Sequence, residues 1–161
     1  KTDKPVVVDA DALWHLVNLT AADIQKAKLI LTPHAGEMAR LMKMSLEEVR
    51  ENRLEVARAA DKHYNAVIVL KGPGTIVACP DGKIYINSSG NAGMATGGSG
   101  DVLAGIIGGL LAQKLPPALA AAVGVYLHGA AGDRAAEILS EPGMIAGDII
   151  NCLPQVLAEL T

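Results

Sequence analysis

The residues best suited to chemistry lie in the stretch NAGMATGGSGDVLAG, residues 91–105. It holds five glycines and one carboxylate, Asp101, and leads directly into the apolar run Val102 to Ala112. A helix starting there exposes unpaired N–H groups and a partial positive charge. Glycines let a phosphate come close to such a backbone, so Gly97-Gly98-Ser99-Gly100 reads as an anion hole. Two familiar phosphate motifs are absent. No Gly-Lys-Ser/Thr ends the loop, and Leu103 stands where a dinucleotide fingerprint needs glycine. Asp101 has two readings. A lone acid in a first helical turn is a favourable dipole contact. Beside a phosphate cradle it is badly placed to bind the anion, but well placed to take a proton from an attacking hydroxyl.

Two further segments follow apolar, strand-like runs, and ligands of α/β proteins gather at strand ends. In Lys71-Gly72-Pro73-Gly74-Thr75, the lysine could reach a phosphate and the backbone could line a nucleotide; a tight turn is the plainer alternative. In Thr32-Pro33-His34-Ala35-Gly36-Glu37, His34 and Glu37 are three apart and can share a helix face. His34 could hydrogen-bond a substrate and Glu37 could order a magnesium ion through water, or the pair simply starts a helix. Of Asp9 and Asp11, one is free to serve the site while the other caps a helix. His128 reads as a packed histidine, and His15 and His63 carry no signal. Gly105, Gly108 and Gly109 read as helix-packing glycines. Asp133 and Arg134 read as a surface ion pair, a weak kind of contact.

The elements that must position these groups follow from periodicity and turn chemistry. Buried strands are expected at Lys4–Asp9, Lys28–Thr32 and Ala66–Leu70, rich in Val, Ile and Leu. Short helices should follow the first two. Ser45 and Glu48 form a capping box for a helix running to about Tyr64. Pro80-Asp81-Gly82 signals a hairpin between 75–79 and 83–87. Helices are expected at about 99–113, 116–139 and 146–160. Strands alternating with helices argue a mainly parallel α/β sheet flanked by helices, with a small antiparallel hairpin.

Composition narrows the function. The chain has 161 residues, half of them hydrophobic, enough for one domain with a real core. A net charge of −3, no Phe, one Trp and three Tyr argue against nucleic-acid binding. The apolar stretch 102–127 is interrupted by Gln113, Lys114 and two prolines, so buried helices are expected and no membrane span. Cys79 and Cys152 have no metal-type spacing, which suits a reducing, cytoplasmic compartment, or a mitochondrial one were the source eukaryotic. The chain opens without Met and enters a strand within a few residues, as a cut inside a larger protein would.

DADAL (9–13), LTPHAGEMARL (31–41), VLKGPGT (69–75) and GNAGMATGGSGDVLAGI (90–106) occur in an order that resembles the nucleotide-dependent NAD(P)H-hydrate dehydratases of the ribokinase-like superfamily. The likeness runs from about residue 5 to 150, and the Gly-Asp segment is its most specific part. The resemblance implies that ADP or ATP phosphorylates the ring hydroxyl of hydrated NADH or NADPH, and that phosphate then leaves. It assigns Asp101 as the base and the N–H groups of 98 to 100 to the moving phosphoryl. Lys71, Gly72, Pro73, Gly74, Thr75, Gly98, Ser99 and Gly100 would line the adenine nucleotide. His34 and Asp101 would face the hydrate, and Glu37 would serve magnesium through water. Ala35 replaces the family's usual proline. The whole of 1–161 would be the C-terminal portion of one such domain, completed by an N-terminal portion that supplies early strands and a wall of the hydrate pocket. Self-association through the Ala-rich C-terminal helices is also expected. Two rivals share the loop physics: a ribokinase-like kinase of a vitamin precursor, and a nucleotide-binding module without catalysis.

Overall fold

The computed structural model describes residues 3–17, 19 and 28–160; Lys1, where the sequence opens, lies outside them. Five strands form one sheet in the order β1 (Val6–Val8), β2 (Leu29–Leu31), β3 (Val67–Leu70), β4 (Ile76–Ala78) and β5 (Ile84–Ile86). The first three run parallel, with Val7 opposite Ile30, and β3 to β5 form an antiparallel meander. The hairpin turns at Gly82, whose φ of 86° suits glycine. The expected α/β architecture is therefore the observed one.

Alternation along the strands builds two cores, because successive side chains point to opposite faces. On one face, Leu29, Leu31, Ile68, Leu70, Ile76 and Ala78 pack against α1 (Asp11–Leu16), α2 (Ala35–Met42), α3 (Leu46–Glu51) and α4 (Arg53–Tyr64). On the other, Ile30, Val67, Val69 and Val77 meet Leu103 and Ile107 of α5 (Ser99–Ala112), and Ala121 and Val125 of α6 (Pro117–Leu139). Beyond α6 lies α7 (Ala146–Glu159), where Leu127, Ala131, Ile149, Cys152 and Val156 make a third apolar cluster. Both cysteines are buried and free, and burial raises the Cys79 thiol to about 11. No helix among the described residues is long and apolar enough to cross a membrane.

Five expectations need correction. Neither Asp9 nor Asp11 caps α1, whose N-cap is Ala10 with no side-chain hydrogen bond. The Ser45 capping box is present, but its helix does not reach Tyr64 unbroken. At Asn52 (φ −121°, ψ 42°) the side-chain amide donates to the Glu48 carbonyl at 3.2 Å, and the chain restarts as α4. Strand β1 is only half-buried, since among the described residues it is the sheet's edge and pairs with β2 alone. Gly105, Gly108 and Gly109 do not mediate close packing, because a Cβ on any of them would meet nothing within 4 Å. The close approaches are instead at Gly124, Gly129 and Gly132 of α6, against Ile107, Ser89 and Met94. Finally, Asp133 does not pair with Arg134. Its carboxylate accepts from the Gly90 N–H at 2.8 Å and the Asn91 amide at 3.0 Å, while Arg134 bonds Glu137 and Glu159.

Candidate active site

The glycine-rich segment is placed from behind before it can act. Asp133 ties Gly90 and Asn91 to α6, and Gly129 and Gly132 leave room there for Ser89 and Met94. Asn91 then caps a short 3-10 turn, Ala92–Met94. Gly98, at φ 88°, is the N-cap of α5, a conformation open to glycine at little cost.

That first turn leaves donors unspent. The Ser99 N–H turns back to the Thr96 carbonyl at 3.3 Å, and the ladder starts with Val102 N–H on the Gly98 carbonyl at 3.1 Å. Among the described residues nothing accepts from the N–H groups of Gly98, Gly100 and Asp101. The side chain of Ser99 is buried, and its hydroxyl lies 3.3 Å from Nε2 of His128. Burial lowers His128 to about 4, so the ring is neutral near pH 7; the Ser99 backbone opposes this and the neighbouring Lys71 charge adds to it. His128 is packed, as expected, and its partner belongs to the loop. Asp101 is exposed, and no group among the described residues donates to its carboxylate, which leaves both oxygens able to accept a proton.

Strand ends bring the other groups to this turn. Asp9 follows β1, His34 and Glu37 follow β2, and Lys71 follows β3. The Lys71 ammonium donates to Asp9 at 2.8 Å and lies 3.9 Å from Glu37; all three side chains are at most 20% exposed. A Cβ on Gly100 would sit 3.2 Å from that ammonium, so Lys71 reaches the open end of α5. His34 caps α2: its Nδ1 accepts from the Gly36 and Glu37 N–H groups, and its own N–H donates to Glu37 at 2.7 Å. Nε2 of His34 is 3.3 Å from the other Glu37 oxygen. The shared helix face of His34 and Glu37 is thus real, and it is a capping box with the histidine ring half exposed. A shallow pocket lined by Leu13, Trp14, Val17, Glu37, Arg40 and Leu41 shares Glu37 with this cluster.

Gly72 to Thr75 form a tight turn beside Lys71, with φ of 140° at Gly72 and 61° at Gly74, values that glycine adopts at little cost. The Thr75 hydroxyl is spent on the Gly72 carbonyl, at 3.0 Å. Lys71 N–H bonds the Pro33 carbonyl at 2.9 Å, joining the two loops. Arg53, at the start of α4, donates to the Leu70 carbonyl at 3.2 Å and to the Pro73 carbonyl, and burial lowers its pKa. Sequence reasoning missed Arg53 and the loop contacts of His128 and Asp133. None has a local signal, since each partner is remote along the chain.

The donor set also bears on magnesium. Among the described residues no three His, Cys, Asp or Glu groups converge. A hard cation that keeps water and phosphate oxygens needs only one or two carboxylates. Glu37, whose contact with the Lys71 ammonium is the looser one at 3.9 Å, suits that kind of site. The assembly can therefore cradle an anion on N–H groups and an ammonium, and it offers an unencumbered carboxylate next to that cradle.

Known proteins resemble this chain in sequence and fold. The family model described as NAD(P)H-hydrate dehydratase matches residues 1–155. The chain is 52% identical over 161 residues to a bifunctional NAD(P)H-hydrate repair enzyme of Moorella thermoacetica, covering 97% of this chain and 30% of that protein. It is 48% identical over 156 residues to an ADP-dependent (S)-NAD(P)H-hydrate dehydratase of Neisseria meningitidis, covering 92% and 51%. A crystal structure of the ADP/ATP-dependent NAD(P)H-hydrate dehydratase of Bacillus subtilis, co-crystallised with ATP/Mg2+, superposes with a TM-score of 0.91 at 36% identity, covering 99% of this chain and 56% of that one. The chain thus spans between about a third and just over half of the lengths of these proteins. On this sequence match and this architecture, the chain belongs to the NAD(P)H-hydrate dehydratase family and has a ribokinase-like fold.

Proposed function

We propose that the protein containing this chain dehydrates hydrated NADH and NADPH, with ADP or ATP as phosphoryl donor, and so regenerates the reduced cofactor. The observation that carries this reading is Asp101: an exposed carboxylate without a donor among the described residues, in the first turn of a helix whose leading N–H groups find no acceptor among them either. Asp101 takes the proton of the ring hydroxyl as its oxygen bonds to the terminal phosphorus of the nucleotide. The bond from that phosphorus to the leaving ADP or AMP breaks. The N–H groups of Gly98 and Gly100 and the Lys71 ammonium stabilise charge on the moving phosphoryl. The ring C–O bond then breaks with its electron pair going to the departing phosphate, and that phosphate or water takes the proton of the neighbouring carbon as the double bond forms. Gly72 to Thr75 line the nucleotide through their backbone, and His34 and Asp101 face the hydrate. Magnesium, when bound near Glu37, offsets the negative charge of the nucleotide phosphates.

The same reading assigns an N-terminal companion portion of the domain. Among the described residues β1 is an edge whose outer hydrogen-bonding side is open, and the matched relatives are longer. A companion strand pairing with Val6 to Val8 would close that edge and supply a wall of the hydrate pocket. Self-association is supported by Ile138, Leu139, Ile150 and Leu157, large apolar side chains exposed on α6 and α7. A cytoplasmic location belongs with this reading.

The test is turnover by the full-length protein of hydrated NADH and NADPH with ADP and with ATP, beside hydroxymethylpyrimidine, pyridoxal and a thiazole alcohol. Regeneration of NAD(P)H with release of phosphate is expected. Stable phosphorylation of one of the alcohols without dehydration would make the protein a kinase instead, and nucleotide binding without any turnover would make it a binding module.

A further inference from the structure

The position of Lys71 needs a cause. Its ammonium sits beside the N-terminal end of α5, the positive end of the helix dipole, which repels it. A flexible four-carbon side chain has ample freedom to swing away. It stays because Asp9 accepts from it at 2.8 Å across 62 residues of sequence, with the Asp9 carboxylate only 12% exposed. Glu37 contributes less, being 3.9 Å away and already accepting from the His34 N–H. Gly100 completes the arrangement: a Cβ there would lie 3.2 Å from the Lys71 ammonium and 3.5 Å from the second Asp9 oxygen. The end of β1, the end of β3 and the start of α5 thus meet at one ion pair.

We propose that Asp9 is the positioning residue for Lys71, holding its ammonium over the open first turn of α5 so that an arriving nucleotide phosphate meets a fixed cation. Asp9 touches no phosphate itself, since two anions would repel. It acts by removing the disorder that Lys71 would otherwise lose on binding. This inference rests on the nucleotide reading above and specifies how the lysine of that site is held.

A double-mutant cycle on the full-length protein tests it, with ADP and ATP affinities measured by calorimetry in the presence of magnesium and without the hydrate. Asp9→Asn is expected to weaken nucleotide binding about tenfold, in keeping with a lost charge-assisted contact. In a Lys71→Ala background the same change should add less than about twofold, because a residue acting only through Lys71 has nothing left to position. Asp9→Glu should recover part of the affinity, and it carries the test should Asp9→Asn fail to fold. As a readout independent of binding, Lys71 should be acetylated several-fold faster in Asp9→Asn, followed by peptide mass spectrometry. Equal losses in both backgrounds, or unchanged affinity in Asp9→Asn, would overturn the proposal. A parent protein that binds neither nucleotide would overturn the functional reading itself, and that result is visible before any substitution is made.

Discussion

Nε2 of His128 lies 3.3 Å from the hydroxyl of Ser99, joining the middle of α6 to the first turn of α5. Burial lowers this imidazole from an ordinary 6.5 to about 4. The unfolded chain therefore binds more protons than the folded one between those values. Stability is then full above about pH 6.5 and falls as the pH drops toward 4. The full effect is about 3 kcal/mol at ~1.4 kcal/mol per unit. Urea unfolding of the full-length protein at several pH values, set against His128→Gln, isolates this contribution from the titration of carboxylates. The variant should lose less stability between pH 6.5 and 4 than its parent; parallel curves would show that the histidine is not held neutral by the fold.

Asp101→Asn should leave nucleotide affinity intact and lower turnover of the hydrate by about 10²–10⁴-fold, the usual range for loss of a general base. Asn keeps the volume and the helical position but accepts no proton. Calorimetry with ADP alongside steady-state turnover separates the two effects. Near-parental turnover would make Asp101 a dipole-facing residue of α5 and nothing more.

Arg53→Met removes the guanidinium that bonds the Leu70 and Pro73 carbonyls. Hydrogen bonds to a charged group contribute about 1.5–3 kcal/mol, and a loss of stability of that order is expected in denaturant unfolding. The turn from Gly72 to Thr75 should also loosen, weakening ADP or ATP while leaving hydrate affinity nearly unchanged. Unaltered nucleotide affinity would mean that this turn holds its shape through Thr75 and Gly72 alone.

Gly129→Ala places a Cβ 2.8 Å from the backbone of Ser89. In a helix, Ala otherwise gains about 1 kcal/mol over Gly, so a loss of about 1–3 kcal/mol marks overpacking. Gly132→Ala should cost less, because its obstacle is the flexible side chain of Met94. Turnover should also fall in Gly129→Ala, since the displaced segment leads into Gly97 and Gly98. Thermal unfolding of both variants gives the order; a stabilised Gly129→Ala would rule out the close approach.

Most of the elements, and the glycine-rich turn ahead of Asp101, are legible in the residues alone. Residues 29–31 and 67–70 are short apolar runs bounded by turn residues, and Ser45 with Glu48 or Pro80-Asp81-Gly82 encode their caps and turns within a few residues. Local sterics and hydrogen bonding suffice for those, so they were legible. The glycine-rich turn before Asp101 was legible for the same reason. The partners of these groups come from long-range packing instead. Asp9 and Lys71 are 62 positions apart, Asn91 and Asp133 42 apart, and Ser99 and His128 29 apart. These pairs meet because parallel β1, β2 and β3 end on the same side of the sheet and α6 packs behind the loop. The packing glycines were misplaced for a related reason: Gly105 and Gly129 look alike in sequence, and only the neighbouring backbone of Ser89 gives the second its role.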